Sequence, residues 1–266
     1  MSPQHILTEK KDGIFTLTFN RPAKRNAFVN EMLLETWEAV SAADVDPEVR
    51  VIVITGSGEG FSSGADVDAF KAAYDESKRK GYQVVAIDQV QLERIAVAFR
   101  NISAPTIAAV NGPAIGLGFT VAVACDIRIA SEKAQFGPTF ARMGLTPEFG
   151  GSYNLPRLVG IAKACELVLQ AKVIGAQEAR EIGLVNQVVP HEELMPKTME
   201  MARAMADLPP MALGYSKRNM YKGLDSDLAA AVHDEIMANR VCRDSRDHGE
   251  GVAAFLEKRK PKHTGR

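Results

Sequence analysis

The chain has 266 residues, 46% hydrophobic and 24% charged, with a formal net charge of −1 at neutral pH. This is an ordinary soluble globular composition, long enough for one large domain or a domain with an appendage. The balanced charge offers no global basic field for nucleic acid, no apolar stretch approaches the ~18 residues that span a membrane, and Lys10, Lys11 and Asp12 stand where a secretory signal needs an apolar core.

A cytoplasmic protein is therefore expected. The three cysteines, Cys125, Cys165 and Cys242, are far apart and form no C-x-x-C pair. Neither a redox pair nor a metal site is expected, and Cys125 and Cys165, in apolar helix-like surroundings, read as buried inert thiols.

In chain order, Ile14-Phe15-Thr16-Leu17-Thr18-Phe19 alternates and runs into Asn20-Arg21-Pro22, which predicts a strand and a turn. Asn30 is placed to cap a helix carrying Leu33, Trp37 and Val40 on one face. Val51-Ile52-Val53-Ile54-Thr55 is a continuous β-branched run ending in glycines, the pattern of a strand buried on both faces of a parallel sheet. Leu92, Ile95, Ala96 and Phe99 mark an amphipathic helix, and Thr106-Ile107-Ala108-Ala109-Val110 a second buried strand. A helix of small residues is predicted over 117–124, short strands over 127–130 and 134–136, and a helix carrying Ile161, Ala164, Cys165, Val168 and Leu169. After Val188-Val189-Pro190 the strand signals cease, and Leu228, Ala231, Val232 and Ile236 form one helical stripe. Strand–helix alternation followed by helices alone predicts an α/β core over residues 1–195 and a helical C-terminal region over 196–266.

Two segments share one design of buried strand, glycine-rich turn and helix. They are Gly56-Ser57-Gly58-Glu59-Gly60-Phe61-Ser62-Ser63-Gly64-Ala65-Asp66 and Asn111-Gly112-Pro113-Ala114-Ile115-Gly116-Leu117-Gly118. Glycine permits sharp turns and close backbone approach, and a helix start offers unpaired N–H groups. Two such loops on neighbouring strands can aim two donors at one oxygen, as in an oxyanion hole. Either loop alone reads as an ordinary strand-to-helix turn. Gly60-Phe61-Ser62-Ser63-Gly64 also fits the G-x-S-x-G nucleophile elbow of α/β-hydrolases with Ser62 as nucleophile. Against it, no H-G-G-type loop precedes it, and the later histidines, His191, His233, His248 and His263, follow the last strand. Gly116-Leu117-Gly118 lacks the final glycine of a dinucleotide fingerprint.

Taken together, the pieces resemble the enoyl-CoA hydratase/isomerase, or crotonase, family over nearly the whole chain. The likeness is carried by Asn20-Arg21-Pro22 with Asn26-Ala27, Phe61-Ser62-Ser63-Gly64-Ala65-Asp66-Val67, Asn111-Gly112-Pro113-Ala114-Ile115-Gly116 and Cys125-Asp126-Ile127-Arg128. Ala134-Gln135-Phe136-Gly137, Gly175-Ala176-Gln177-Glu178-Ala179, Gly183-Leu184-Val185 and Phe255-Leu256-Glu257-Lys258-Arg259-Lys260 continue it. The resemblance implies a spiral of ββα units, a helical C-terminal part that builds homotrimers or dimers of trimers, and an acyl-CoA thioester substrate. Coenzyme A belongs to that substrate, and no separate cofactor is implied. Ala65 N–H and Leu117 N–H would be the oxyanion donors. Ser63, Gly64, Ala65, Asp66, Val67 and Gly116 would line the coenzyme A site, with Lys24, Arg25 and Lys258 toward its phosphates. For Lys24 and Arg25 solvated surface charge is an equal reading.

The departures from the family pattern point to the reaction. Where the hydratases carry their two glutamates this chain has Thr120 and Phe140, neither able to move the proton of a water addition. Glu148, in Leu145-Thr146-Pro147-Glu148-Phe149-Gly150-Gly151, stands where the Δ3,Δ2-enoyl-CoA isomerases of the family carry a glutamate. The expectation is an isomerase with Glu148 as its catalytic base and Phe119, Thr120, Phe140 and Phe149 keeping water from the acyl pocket. Enoyl-CoA hydration or another crotonase-family reaction, such as aryl-CoA dehalogenation or ring-opening isomerisation, is the alternative. A binding protein that has lost its base is a further one.

Overall fold

The computed structural model describes residues 5–265. Its strands are β1 (Ile6–Lys11), β2 (Ile14–Phe19), β3 (Val51–Gly56), β4 (Thr106–Val110), β5 (Pro113–Ile115), β6 (Ile127–Ser131), β7 (Gln135–Gly137), β8 (Ile174–Gly175) and β9 (Gln187–Val189). The larger sheet runs β1-β2-β3-β4-β6-β9, antiparallel only at the β1–β2 hairpin. The smaller runs β5-β7-β8. Parallel strands need covered faces, which explains the continuous apolar runs. Ile52, Ile54, Ala108 and Val110 face the main core, whereas Val51, Val53, Ile107 and Ala109 face the opposite side.

On the main-core side, α1 (Asn30–Val45) buries Met32, Leu33 and Val40. Asn30 does not cap it: Val29 precedes the first turn, and the Asn30 side chain instead accepts the Asp88 N–H at 3.1 Å, tying α1 to the start of α3. Between them lies α2 (Val67–Lys80), which buries only Ala73 although Val67, Phe70, Ala73 and Tyr74 recur at helical spacing along it. Helix α3 (Gln89–Arg100) turns Leu92, Ile95 and Phe99 inward. Helix α4 (Leu117–Ala124) is buried all round, as its small apolar residues require.

α5 (Gly151–Val159), α6 (Ile161–Leu169) and α7 (Ala176–Glu181) follow. In α6 the buried residues are Ala164 and Leu167, while Ile161, Cys165 and Leu169 are exposed. The expected buried thiol at Cys165 is thus corrected; nine residues of mostly apolar sequence leave the inward face undecided until the sheet is in place. Cys125 is buried, and desolvation pushes its thiol pKa up to about 12.

The C-terminal helices are α8 (Leu194–Ala206), α9 (Pro210–Gly223), α10 (Leu228–Arg243) and α11 (Arg246–Glu257). Helix α8 covers the second face of the large sheet with Leu194 and Ala202. Helix α9 is anchored by the nearly buried Lys217, whose ammonium lies 2.7 Å from Asp126, and by the Tyr221 hydroxyl, which donates to the same carboxylate at 2.8 Å. Leu228, Val232 and Ile236 of α10 and Phe255 and Leu256 of α11 are exposed. Among the described residues no helix is long and apolar enough to cross a membrane, and no group of three or more His, Cys, Asp or Glu gathers as metal ligands.

Candidate active site

The two glycine loops leave adjacent parallel strands, β3 and β4, and are stitched together by backbone. Ser62 N–H donates to Pro113 O at 3.0 Å, and Ile115 N–H returns to Ser62 O at 2.9 Å. The second loop therefore contains a short strand, β5, that the sequence pattern did not separate from the turn. Asn26 holds the first loop from outside, donating to Ser57 O at 2.9 Å and Gly60 O at 2.8 Å. Asn111 donates to Gly58 O at 3.0 Å. These two asparagines went unassigned in the sequence reading, because their partners are backbone groups about thirty to fifty residues away.

At the junction Gly64 (φ +95°) and Gly116 (φ +53°) face each other. A Cβ on Gly64 would meet Ile115 O at 2.9 Å and Gly116 Cα at 3.6 Å, so only glycine allows this approach. The next residues in each chain segment are Ala65 and Leu117. Phe28 N–H donates to Gly64 O at 2.7 Å and Asp66 N–H to Phe28 O at 2.9 Å, which directs the intervening Ala65 N–H the other way. Leu117 opens α4, where the first N–H groups have no intrahelical acceptor. Among the described residues neither amide finds a hydrogen-bond acceptor.

Ser62 is fully buried, and its hydroxyl donates to Asn26 O at 2.7 Å. It is a structural tie between loops rather than an exposed elbow nucleophile. His5 pairs with Glu35, His191 with Ser131 and His263 with Asp207 O, so none of these is available to activate it.

Glu148 is half-buried in the loop before α5, and desolvation raises its carboxyl pKa above the ordinary glutamate value. Its side chain makes no hydrogen bond or ion pair among the described residues. Its own carbonyl accepts Gly151 N–H at 3.0 Å, and a Cβ at Gly151 would stand 2.6 Å from Thr120 Cγ2. Thr120 in turn bonds back to Leu117 O at 3.0 Å. The start of α5, three residues after Glu148, therefore packs against Thr120, which lies about one turn along α4 from Leu117.

Two cavities of about 650 Å³ each flank Glu148. One lies between α3 and α5, lined by Leu92, Ala96, Val97, Phe149 and Asn154; the other is lined by Phe70, Ala73, Tyr74, Ile87 and Leu145. Of the expected acyl-pocket residues, Phe149 lines the first. Phe119, Thr120 and Phe140 are packed inside and line neither: the first two lie on α4, which is enclosed on every side, and Phe140 is the buried residue of the 3-10 turn Thr139–Met143.

The expected coenzyme A residues are more dispersed. Ser63 N–H donates to Arg25 O at 2.9 Å, placing the Lys24–Arg25 turn on the first loop. Lys24 is exposed and pairs with Asp68 at 2.7 Å. Asp66 is buried, pairs with Arg21 at 2.9 Å and caps α2 through Asp68 N–H. Burial alone would raise its pKa, but the Arg21 and Asp68 bonds outweigh it and hold the carboxyl below the usual range. Its role in this structure is to fix the loop. Val67 is exposed at the first turn of α2. Lys258 ends α11 in a left-handed conformation and is exposed.

A parallel sheet wound through two facing glycine loops into a helical C-terminal region is the fold of crotonase-like enzymes. The chain belongs to the enoyl-CoA hydratase/isomerase family, whose model it matches over residues 9–266, and is an acyl-CoA enzyme of that family. It is 38% identical over 261 residues to the crotonyl-CoA hydratase of Syntrophomonas wolfei, covering 98% of each chain. It is 35% identical over 268 residues to the 1,2-epoxyphenylacetyl-CoA isomerase of Escherichia coli, covering 99% of each. A crystal structure of enoyl-CoA hydratase from Bacillus anthracis superimposes with a TM-score of 0.91 at 32% identity, covering 99% of this chain and 100% of that one.

Proposed function

We propose that the protein is a Δ3,Δ2-enoyl-CoA isomerase in which Glu148 is the single acid–base group. The observation that carries this reading is the Glu148 carboxylate itself: half-buried, unpaired among the described residues, set between two largely apolar cavities and raised in pKa by desolvation. Moving a double bond from C3 to C2 of an acyl thioester needs one base that takes a proton from C2 and returns it at C4. Glu148 accepts the C2 proton, the C2–H electron pair enters the conjugated system, and negative charge collects on the thioester oxygen. Ala65 N–H and Leu117 N–H donate to that oxygen; one such donor is commonly worth about 3 kcal/mol. The protonated Glu148 then delivers the proton to C4. A carboxyl pKa lifted toward neutrality suits both transfers.

The buried Thr120 and Phe140, where hydratases carry acids, support a one-carboxylate mechanism. The likeness to a 1,2-epoxyphenylacetyl-CoA isomerase bears instead on the alternative of another crotonase-family reaction on an acyl-CoA. In this reading the backbone of 63–67 receives the adenine of coenzyme A, and Lys24, Arg25 and Lys258 lie toward its phosphates.

A second reading, hydration of a 2-enoyl thioester, is favoured by the names of the crotonyl-CoA and enoyl-CoA hydratases it resembles. These names favour it more directly than they favour isomerisation; the residues of this site favour isomerisation.

The test compares two substrates with two proteins. Glu148→Gln keeps the backbone donors, so affinity for thioester is expected to hold while turnover of a 3-enoyl thioester falls by roughly 10² to 10⁴. Hydration of a 2-enoyl thioester is expected to be slow in both proteins. Fast wild-type hydration with slow isomerisation overturns the first reading. If Glu148→Gln abolishes that hydration, Glu148 activates water.

A further inference from the structure

Resting on the reading that the acyl group reacts beside Glu148, we propose that the protein takes acyl chains that end in a carboxylate, the thioesters of dicarboxylic acids, and that Arg100 receives that carboxylate. Arg100 is the last residue of α3 and is half-buried. It borders the cavity between α3 and α5 that holds Glu148, and also a second cavity of about 730 Å³ between the end of α3 and α9. Asn101 and Tyr153 border both as well, so the two spaces meet at these side chains. The guanidinium carbon lies over the Tyr221 ring, 3.3 Å from its centroid, and the Tyr153 centroid is 5.7 Å away. Tyr221 is itself fixed, because its hydroxyl donates to Asp126, which Lys217 and Thr106 also hold. The stack covers a face of the guanidinium and leaves its in-plane N–H donors free. Among the described residues the guanidinium makes no hydrogen bond and no ion pair, and none of its nitrogens is among the polar atoms sealed from solvent.

The acids near this junction are already engaged. Asp126 pairs with Lys217 at 2.7 Å and Asp234 with Lys222 at 2.6 Å. Asp225 pairs with Arg157 at 2.7 Å and accepts the Tyr153 hydroxyl. Arg100 and the exposed Arg218 are left without a carboxylate, so the junction carries surplus positive charge. A guanidinium cannot shed its proton, and the contact with Tyr221 offsets only part of the cost of its partial burial. Methionine would cover the same ring with no charge to satisfy. The counter-charge is therefore expected to enter with the substrate. The free fork matches a carboxylate bidentately, and the way to it from Glu148 is walled by Leu92, Ala96, Val97 and Phe149, which suit methylenes. Two acids share that cavity. Glu93 is exposed and seven residues earlier on α3, roughly 10 Å along the axis. Glu148 and Gln89 border both cavities that flank the base, whereas Arg100 borders one of them, which sets the base toward the Gln89 end of α3. Gln89 and Arg100 are roughly 16 Å apart along that axis, a span for a chain of medium length.

The experiment uses unreactive saturated thioesters: adipyl-, suberyl-, sebacyl- and dodecanedioyl-CoA, each against its methyl-ended counterpart of equal length, with binding measured by calorimetry. The wild type is expected to bind at least one carboxylate-ended chain about tenfold more tightly than its counterpart, the worth of one charge-assisted hydrogen bond. Arg100→Met is expected to lose that preference while holding the methyl-ended chains at least as well; Arg100→Gln, neutral and of similar reach, is the second variant with the same expectation. No preference at any length in the wild type, which needs no variant to show, overturns the proposal, as does a preference that survives in either variant. An equal loss of affinity for every thioester and for free coenzyme A in the variants also overturns it, because the guanidinium would then serve the coenzyme A phosphates. Isomerase turnover of 3-octenoyl-CoA is measured alongside. Absent turnover with an intact Arg100-dependent preference refutes the isomerase reading alone; normal turnover without a preference refutes the carboxylate reading alone.

Discussion

Gly64→Ala tests whether the junction of the two loops is the part of the molecule that stabilises charge. The new Cβ would sit 2.9 Å from Ile115 O and 3.6 Å from Gly116 Cα, and Gly64 has φ +95°. An L-residue in that conformation costs about 1–2 kcal/mol. Relieving the contact needs a shift of a few tenths of an ångström in a carbonyl whose residue is held by the 2.9 Å bond from Ile115 N–H to Ser62 O. With about 1 kcal/mol for that shift, the variant is expected to lose about 2–3 kcal/mol, or on the order of 5–10 °C in Tm for a chain of this size.

The shift falls one residue from Ala65 on one side and two from Leu117 on the other, so kcat is expected to fall roughly 10²-fold, the cost of misplacing one oxyanion donor. Gly81→Ala is the control: Gly81 also has positive φ (+74°), yet nothing lies within 4 Å of the added Cβ. It should lose stability without losing kcat. The assay is steady-state turnover at 25 °C with thermal unfolding followed by circular dichroism. Gly64→Ala turning over at the wild-type rate despite a lowered Tm would refute the reasoning, as would a loss of activity equal to that of Gly81→Ala.

Two further outcomes are expected. Desolvation raises the folded-state pKa of Glu148, so the folded protein binds the proton more tightly than the unfolded chain, and this group's contribution is fully present below the unfolded pKa and lost as pH rises through the folded one. Glu148→Gln should therefore be more stable than the wild type at pH 8, with the difference shrinking toward pH 4, while the acid limb of wild-type kcat lies above the ordinary glutamate pKa of about 4.3; equal denaturation midpoints at both pH values would contradict this. The exposed Leu228, Val232, Ile236, Phe255 and Leu256 predict self-association, with sedimentation velocity at micromolar concentration giving a trimer or hexamer; a stable monomer counts against that assembly.

Much of the fold was legible before any coordinates. The strands at Val51–Gly56 and Thr106–Val110 announce themselves because burial on both faces forces an unbroken apolar run. Helix Leu117–Ala124 does so because complete enclosure demands small apolar residues throughout. Strand β1 was silent because it is an edge strand exposed at nearly every position; helix α2 was missed although Val67, Phe70, Ala73 and Tyr74 recur at helical spacing, because its many charges and single buried alanine give it the composition of a solvated loop. The glycine loops and the lone Glu148 were also visible, since glycine and carboxylate are chemically distinctive wherever they fall.

What the sequence by itself determined was local: backbone freedom at Gly64 and Gly116, apolar period in the strands, and the absence of acids at Thr120 and Phe140. Only the tertiary structure decided which groups meet. It turned Ser62 from a possible nucleophile into a buried tie to Asn26, set Asp66 against Arg21, left Cys165 in solvent, and brought the start of α5 against Thr120, about one turn from Leu117. These are contacts between segments distant in the chain, and period and propensity carry no information about a partner that only packing of the whole core brings into range.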